Sequence, residues 1–176
     1  MAEESLLVIE NERVIRVAIT QWLTTAGYPV ESAASGQEAL DKLQEREYDL
    51  LLVELNMPKM DGLQFLTASR ELNTQAGALV ITGYRNMGRV IKSMDEGALG
   101  FIIKPFYPEQ LLQSVQDALA KQSLAREKQR RDAFNPFLEV SRLLLKKGDL
   151  PTFGQIFLDN VMSVTAATKA AIFVVI

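Results

Sequence analysis

Leu51-Leu52-Val53-Glu54-Leu55-Asn56-Met57-Pro58-Lys59-Met60-Asp61-Gly62 decides how the rest of this chain is read. The run from Leu50 to Leu55 is apolar apart from Glu54, the pattern of a short strand covered on both faces. Residues 56–62 carry turn chemistry, because Pro58 fixes its own φ and Asp61-Gly62 favours a reversal and a helix start. A carboxylate at the carboxyl end of a buried strand stands where open α/β sheets place their functional crevices.

Four further segments repeat the strand pattern. Leu6 to Ile9, Ala78 to Ile81 and Leu99 to Ile103 are continuously apolar, and Pro29 to Ala33 is a weaker example. Helical patterns lie between them. Val14, Val17, Ala18, Leu23 and Ala26 give one apolar face ending at Gly27, and Ala39, Leu40 and Leu43 give a second after Ser35-Gly36. Leu63, Leu66 and Leu72 give a third, Met87, Val90, Ile91 and Met94 a fourth ending at Gly97, and a fifth helix opens at Pro108-Glu109. Strands alternating with helices predict right-handed crossovers and a doubly wound, five-stranded parallel sheet. In the flavodoxin-like order 2-1-3-4-5 the first and third strands flank the switch point, which brings Glu10, Asn11 and Glu54 together.

Composition bounds the function. The 176 residues are 48% hydrophobic and 23% charged, with net charge -3 and neither cysteine nor histidine. Without cysteine there is no disulfide or thiol metal site. Without histidine the chain is itself neither a phosphohistidine kinase nor a histidine phosphotransfer module. The acidic start leads straight into an apolar strand, unlike a signal peptide, and no apolar run reaches the roughly 20 residues of a membrane helix, so a cytoplasmic place is expected. Residues 1–108 hold 15 acidic and 10 basic side chains, against 5 and 8 in residues 109–147. The basic cluster Arg126, Lys128, Arg130 and Arg131 alternates with Glu127 and Asp132 and lacks aromatic interleaving, so it reads as a solvated helix face and no nucleic-acid partner is evident. Nor is there a P-loop, a helix-turn-helix or a catalytic triad.

At the strand ends, Glu10, Asn11 and Glu54 are joined by Thr82 and Lys104. Oxygens, a hydroxyl and an ammonium in one pocket suit a divalent cation and a phosphate, since Mg²⁺ takes oxygen ligands and Lys supplies a compact positive charge. Each of these residues taken alone reads more readily as a solvated strand end. Convergence of five favours a site.

The strand ending at Glu54, the Met57-Pro58-x-Met60-Asp61-Gly62 turn and Lys104-Pro105-Phe106 together resemble bacterial response-regulator receiver domains, from Leu6 to about Lys121. The resemblance implies that Glu54 stands at the phosphoacceptor position, that Thr82 and Lys104 are phosphoryl-contact positions, and that Thr82 and Phe101 form a switch pair. It also implies a cis Lys104-Pro105 bond and a metal site drawn from Glu10, Asn11, Glu54 and Asn56. Thr82 could instead simply end its strand, and Phe101 could be plain core. Asp61 reads as a helix N-cap.

Two departures bear on the chemistry. Asn11 is neutral where the family has a carboxylate, so metal binding is expected to be weaker. Glu54 replaces the acceptor aspartate and carries its carboxylate about 1.5 Å further out. Misplacement near 1 Å costs about 100-fold in a reaction that depends on in-line positioning. Three readings are open: a pseudo-receiver acting by protein-protein interaction with no catalytic residue and no required cofactor; a working Mg²⁺-dependent phosphoacceptor in a phosphorelay; or an anion- or metal-sensing or oligomerisation module. The longer side chain can mimic a phosphoryl charge or reach Lys104 in a salt bridge. A sensor kinase or a downstream signalling domain is the expected partner.

Beyond Pro108, Leu111, Leu112, Val115, Ala118 and Leu119 form a face for the sheet, and helical composition continues to Ala133. Asn135-Pro136 predicts a kink or restart. Phe137, Leu138, Ser141, Leu144 and Leu145 make a stripe that needs a partner, either a second copy in a homodimer through residues 109–147 or a fold-back onto its own receiver or the downstream segment. Residues 149–176 read as a helix and an apolar strand, similar to the opening of a GAF sensory domain, and are expected either to be truncated or to pair across a dimer. The expected organisation is 1–122 receiver, 123–148 linker or signalling helix, and 149–176 the start of a second unit.

Overall fold

Strand and helix alternate in the computed structural model, which describes residues 4–72, 75–83 and 87–147. The order is β1 (Leu6–Ile9), α1 (Arg13–Thr25), β2 (Val30–Ala33), α2 (Gly36–Glu45), β3 (Leu50–Glu54), α3 (Gly62–Glu71), β4 (Gly77–Gly83), α4 (Met87–Asp95), β5 (Gly100–Lys104) and α5 (Pro108–Lys147). All strand pairs are parallel, and the sheet runs β2-β1-β3-β4-β5. This is the doubly wound arrangement that the sequence predicts. By its contacts the chain divides into Met1–Ser123 and Leu124–Ile176.

Strand parity sorts the core into two layers, since alternate side chains point to opposite faces. Leu7, Ile9, Leu51 and Val53 pack with Ala39 of α2, Phe65 and Leu66 of α3 and Val90 of α4. Leu6, Val8, Leu50 and Leu52 pack with Ile19 and Leu23 of α1 and with Leu111, Val115 and Ala118 of α5. β1 and β3 are buried throughout, which explains why Leu6 to Ile9 and Leu50 to Val53 are apolar at every position.

Helix phases differ from expectation in three places. On α1 the core side chains are Ile19 and Leu23, with Ile15 and Trp22 packed beside them, whereas Val14 is 83% and Val17 53% exposed. α1 carries two interleaved apolar rows, and the row with the larger side chains faces the sheet. On α3 Phe65 is buried, while Leu72 lies past the helix end at its C-cap and is 40% exposed. α4 buries Val90 and Ser93 and leaves Ile91 and Met94 outside. A hydroxyl can occupy that core position because Ser93 Oγ donates to the Val90 carbonyl at 2.7 Å.

Nor does the helix restart at Asn135-Pro136, where α5 continues as one segment to Lys147. A single proline removes one backbone hydrogen bond and crowds one carbonyl, a local cost that the turns on either side outlast. The GAF-like helix and strand expected in 149–176 fall outside the described residues.

The turn after β3 is fixed by close packing. Asp61 caps α3 by accepting from Gln64 N at 2.9 Å, and Gln64 Oε1 accepts from Asp61 N at 3.0 Å, a capping box. Lys59 holds the left-handed conformation at φ 69°. Gly62 is buried against β3, where a Cβ would press on the Glu54 carbonyl oxygen and lie 2.7 Å from Leu55 Cα. Backbone cannot yield cheaply there. Gly62→Ala is expected to lower stability by about 2 kcal/mol or more, measurable by urea titration, and an unchanged midpoint would refute this packing account.

Candidate functional site

Parallel register sets the crevice. Ile9 pairs with Val53, so the next residues along β1 and β3, Glu10 and Glu54, emerge side by side at the carboxyl edge. Both are buried: Glu10 is 1% and Glu54 5% exposed. Thr82 ends the fully buried part of β4 one position beyond the partner of Glu54, and Lys104 closes β5 opposite Gly83. Four of the residues that sequence places in the site therefore meet at one edge of the sheet.

Each carboxylate is held twice. Glu54 Oε1 accepts from the backbone N–H of Asn56 at 2.9 Å, and its Oε2 meets Lys104 Nζ at 2.5 Å. Glu10 repeats the pattern, with Oε1 accepting from Glu12 N at 3.0 Å and Oε2 2.5 Å from the same ammonium. Both glutamates thus bend back to the N–H two residues ahead, satisfying a donor at a strand end, and share one cation. Two buried carboxylates without a counter-charge would be strongly unfavourable; the shared ammonium offsets that desolvation. For Lys104, burial pushes the pKa down, but the hydrogen bonds to Glu10 and Glu54 and their negative charges outweigh it and hold the ammonium above the ordinary lysine range.

The remaining residues contribute differently. Asn11 is half-buried and offers its carbonyl to Arg16 Nη1 at 3.3 Å, while the same guanidinium nitrogen donates to the Glu10 carbonyl at 2.6 Å. Asn56 is exposed and supplies its backbone N–H. Phe101 is 42% exposed on β5, which excludes a plain core role. The Lys104-Pro105 peptide bond is cis. Asp61 pairs with Arg89 at 2.7 Å, linking the start of α3 to α4.

Sequence reading missed the Glu10–Lys104 pair and the part played by Arg16. The signal for the first was present in the matched spacing of Glu10 and Glu12 with Glu54 and Asn56, where each acid precedes by two an N–H at the strand exit. Arg16 gave no such signal, because only the folded β1–α1 turn brings its side chain back across six residues.

The family description of the response regulator receiver domain matches residues 6–116. The C4-dicarboxylate transport transcriptional regulatory protein DctD of Rhizobium meliloti is 32% identical over 126 residues, 72% of this chain and 27% of that protein. Response regulator MprA of Mycobacterium avium is 31% identical over 140 residues, 80% of this chain and 59% of its own length. The chain therefore spans less than two thirds of the length of each of these relatives. Among solved structures, the chemotaxis protein CheY4 of Vibrio cholerae superposes with a TM-score of 0.63 and 34% identity, covering 66% of this chain and 99% of that one. NtrX from Brucella abortus gives 0.69 at 25% identity, over 73% of this chain and 29% of its own.

Proposed function

The chain belongs to the response regulator receiver family, and we propose that within it this domain is a pseudo-receiver, signalling by protein contact with Glu54 held in place of a phosphorylated aspartate. Receiver domains are signalling modules of two-component systems rather than enzymes. The observation that carries the finer reading is the engagement of Glu54 itself, with Oε2 at 2.5 Å from Lys104 and Oε1 at 2.9 Å from Asn56 N. A carboxylate with both oxygens committed is a poor nucleophile, because attack requires one oxygen to leave its hydrogen bonds and align in line with phosphorus. The donor set also suits Mg²⁺ poorly, since Asn11 is neutral and Lys104 already neutralises part of the charge. In this reading no cofactor is required.

The test is direct. Incubated with acetyl phosphate and MgCl₂, the intact protein is expected to keep its mass. A phosphoryl adduct that disappears in Glu54→Ala would establish the competing reading, a working phosphoacceptor.

Partners in this reading are a sensor kinase or a downstream signalling domain, in the cytoplasm. Among the described residues no helix is long and apolar enough to cross a membrane. The 40-residue α5, with Leu124 67% exposed, supports homodimerisation through residues 109–147. Sedimentation should then show a dimer for the full chain and a monomer when it is cut after Ser123; equal masses would exclude this contact. The domain assignment 1–122, 123–148 and 149–176, with a GAF-like start in the last, belongs to the same proposal.

A further inference from the structure

Among the described residues, two buried carboxylates in the crevice, Glu10 and Glu54, share one cation, and that cation is the Lys104 side chain. We propose that the Lys104 ammonium is the resident cation of this site, standing where a divalent ion would have to stand, so that the folded domain takes up neither Mg²⁺ nor Mn²⁺ there. The inference deepens the pseudo-receiver reading and rests on the same engagement of Glu54, but it can fail separately.

Every carboxylate oxygen in the crevice is already engaged. Glu10 and Glu54 offer four, and each accepts from a protein donor: Glu12 N at 3.0 Å, Asn56 N at 2.9 Å, and Lys104 Nζ twice at 2.5 Å. Mg²⁺ requires near-octahedral oxygens at about 2.0–2.1 Å and gives up water reluctantly. To ligate Oε2 of either glutamate it would have to displace the ammonium, whose side chain is only 16% exposed, or share an oxygen with it at close range. Like charges so near in a partly buried site repel strongly.

Charge points the same way. Asn11 supplies no third negative charge, and Arg16 fixes a guanidinium on the same turn, 2.6 Å from the Glu10 carbonyl oxygen and 3.3 Å from that of Asn11. Two carbonyls at the β1 exit therefore already serve a cation. Among the described residues no group of three or more Asp, Glu, His or Cys side chains is placed to hold a metal ion. A bound ammonium differs from a bound metal in one testable way. It cannot be removed by a chelator, and deleting it by substitution should expose the two acids to any dication in solution.

The experiment uses the full chain, stripped with chelator and titrated separately with MgCl₂ and MnCl₂ by calorimetry and thermal melting. Trp22, the one tryptophan of the chain, lines a groove with Lys104, Pro105 and Phe106, so its emission gives an optical readout as well. Wild type is expected to give no saturable heat and no melting shift at millimolar metal. Lys104→Met is expected to gain saturable stabilisation by either cation, lost again when Glu10→Gln is added. Saturable uptake by wild type that Glu10→Gln abolishes would overturn the inference, as would a folded Lys104→Met indifferent to both metals. If Lys104→Met does not fold in chelator, recovery of its fold in millimolar MgCl₂ or MnCl₂ supports the inference and failure in both overturns it. Wild type that binds Mg²⁺ but gains no phosphoryl mass overturns this inference alone, leaving the pseudo-receiver reading standing.

Discussion

Glu54→Asp combined with Asn11→Asp is expected to give a chain that carries a stoichiometric phosphoryl adduct after incubation with acetyl phosphate, where the wild type is proposed to carry none. Shortening the side chain by one methylene withdraws the carboxylate by about 1.5 Å. From its present 2.5 Å contact with Lys104 Nζ, that withdrawal opens a gap large enough for a phosphoryl oxygen to enter. The nucleophilic oxygen then forms the new P–O bond as acetate leaves. Asn11→Asp adds the missing negative charge beside Glu10, which favours a divalent cation over the lone ammonium. Thr82 and Lys104 already stand at neighbouring strand ends, at the exits of β4 and β5. Because positioning errors near 1 Å cost about 100-fold, the single Glu54→Asp change should recover part of the rate and the pair considerably more. Intact mass over time, with Asn11→Asp alone as control, decides it. A folded double variant with no adduct would show that Glu54 and Asn11 are not what decides phosphoryl uptake.

How much of this was legible in the sequence depends on which forces are local. β1 and β3 were readable because a strand buried on both faces is apolar along its length, and Leu6 to Ile9 and Leu50 to Val53 are; their adjacency followed from taking the doubly wound order 2-1-3-4-5. The strand ends came with them, and so did Glu10, Glu54, Thr82 and Lys104 as neighbours. Helix faces were less legible. α1 offers Val14 and Val17 as well as Ile15 and Ile19, and periodicity alone does not say which row meets the sheet. The presence of Ser93 rather than Met94 in the core of α4 depends on a side-chain hydrogen bond to Val90, which no hydropathy pattern displays. At the site, the residues were named and a Glu54–Lys104 salt bridge was among the readings, but the sharing of Lys104 with Glu10 was not. One ammonium bridging residues 94 and 50 positions away is a property of register between β1, β3 and β5.

Lys104→Met should be among the most destabilising single substitutions in the domain. It keeps the aliphatic bulk but leaves Glu10 and Glu54, both nearly inaccessible to water, as neighbouring negative charges with no counter-ion. Breaking a buried pair from one side costs about 3–5 kcal/mol, far more than an exposed ion pair is worth. The exposed pair of Arg131 with Glu127 supplies the contrast, with both side chains more than half accessible; Arg131→Met should leave the urea midpoint almost unchanged. The pH dependence has a definite sign. The folded-state pKa of Lys104 lies above its ordinary value, so its contribution is fully present below the unfolded lysine value of about 10.4 and is lost as pH rises through the higher folded value. The stability gap between wild type and Lys104→Met should accordingly hold steady from about pH 7 to 10 and narrow above that range. A gap that opened with rising pH, or one smaller than that of Arg131→Met, would mean that the shared ammonium does not hold the two acids together.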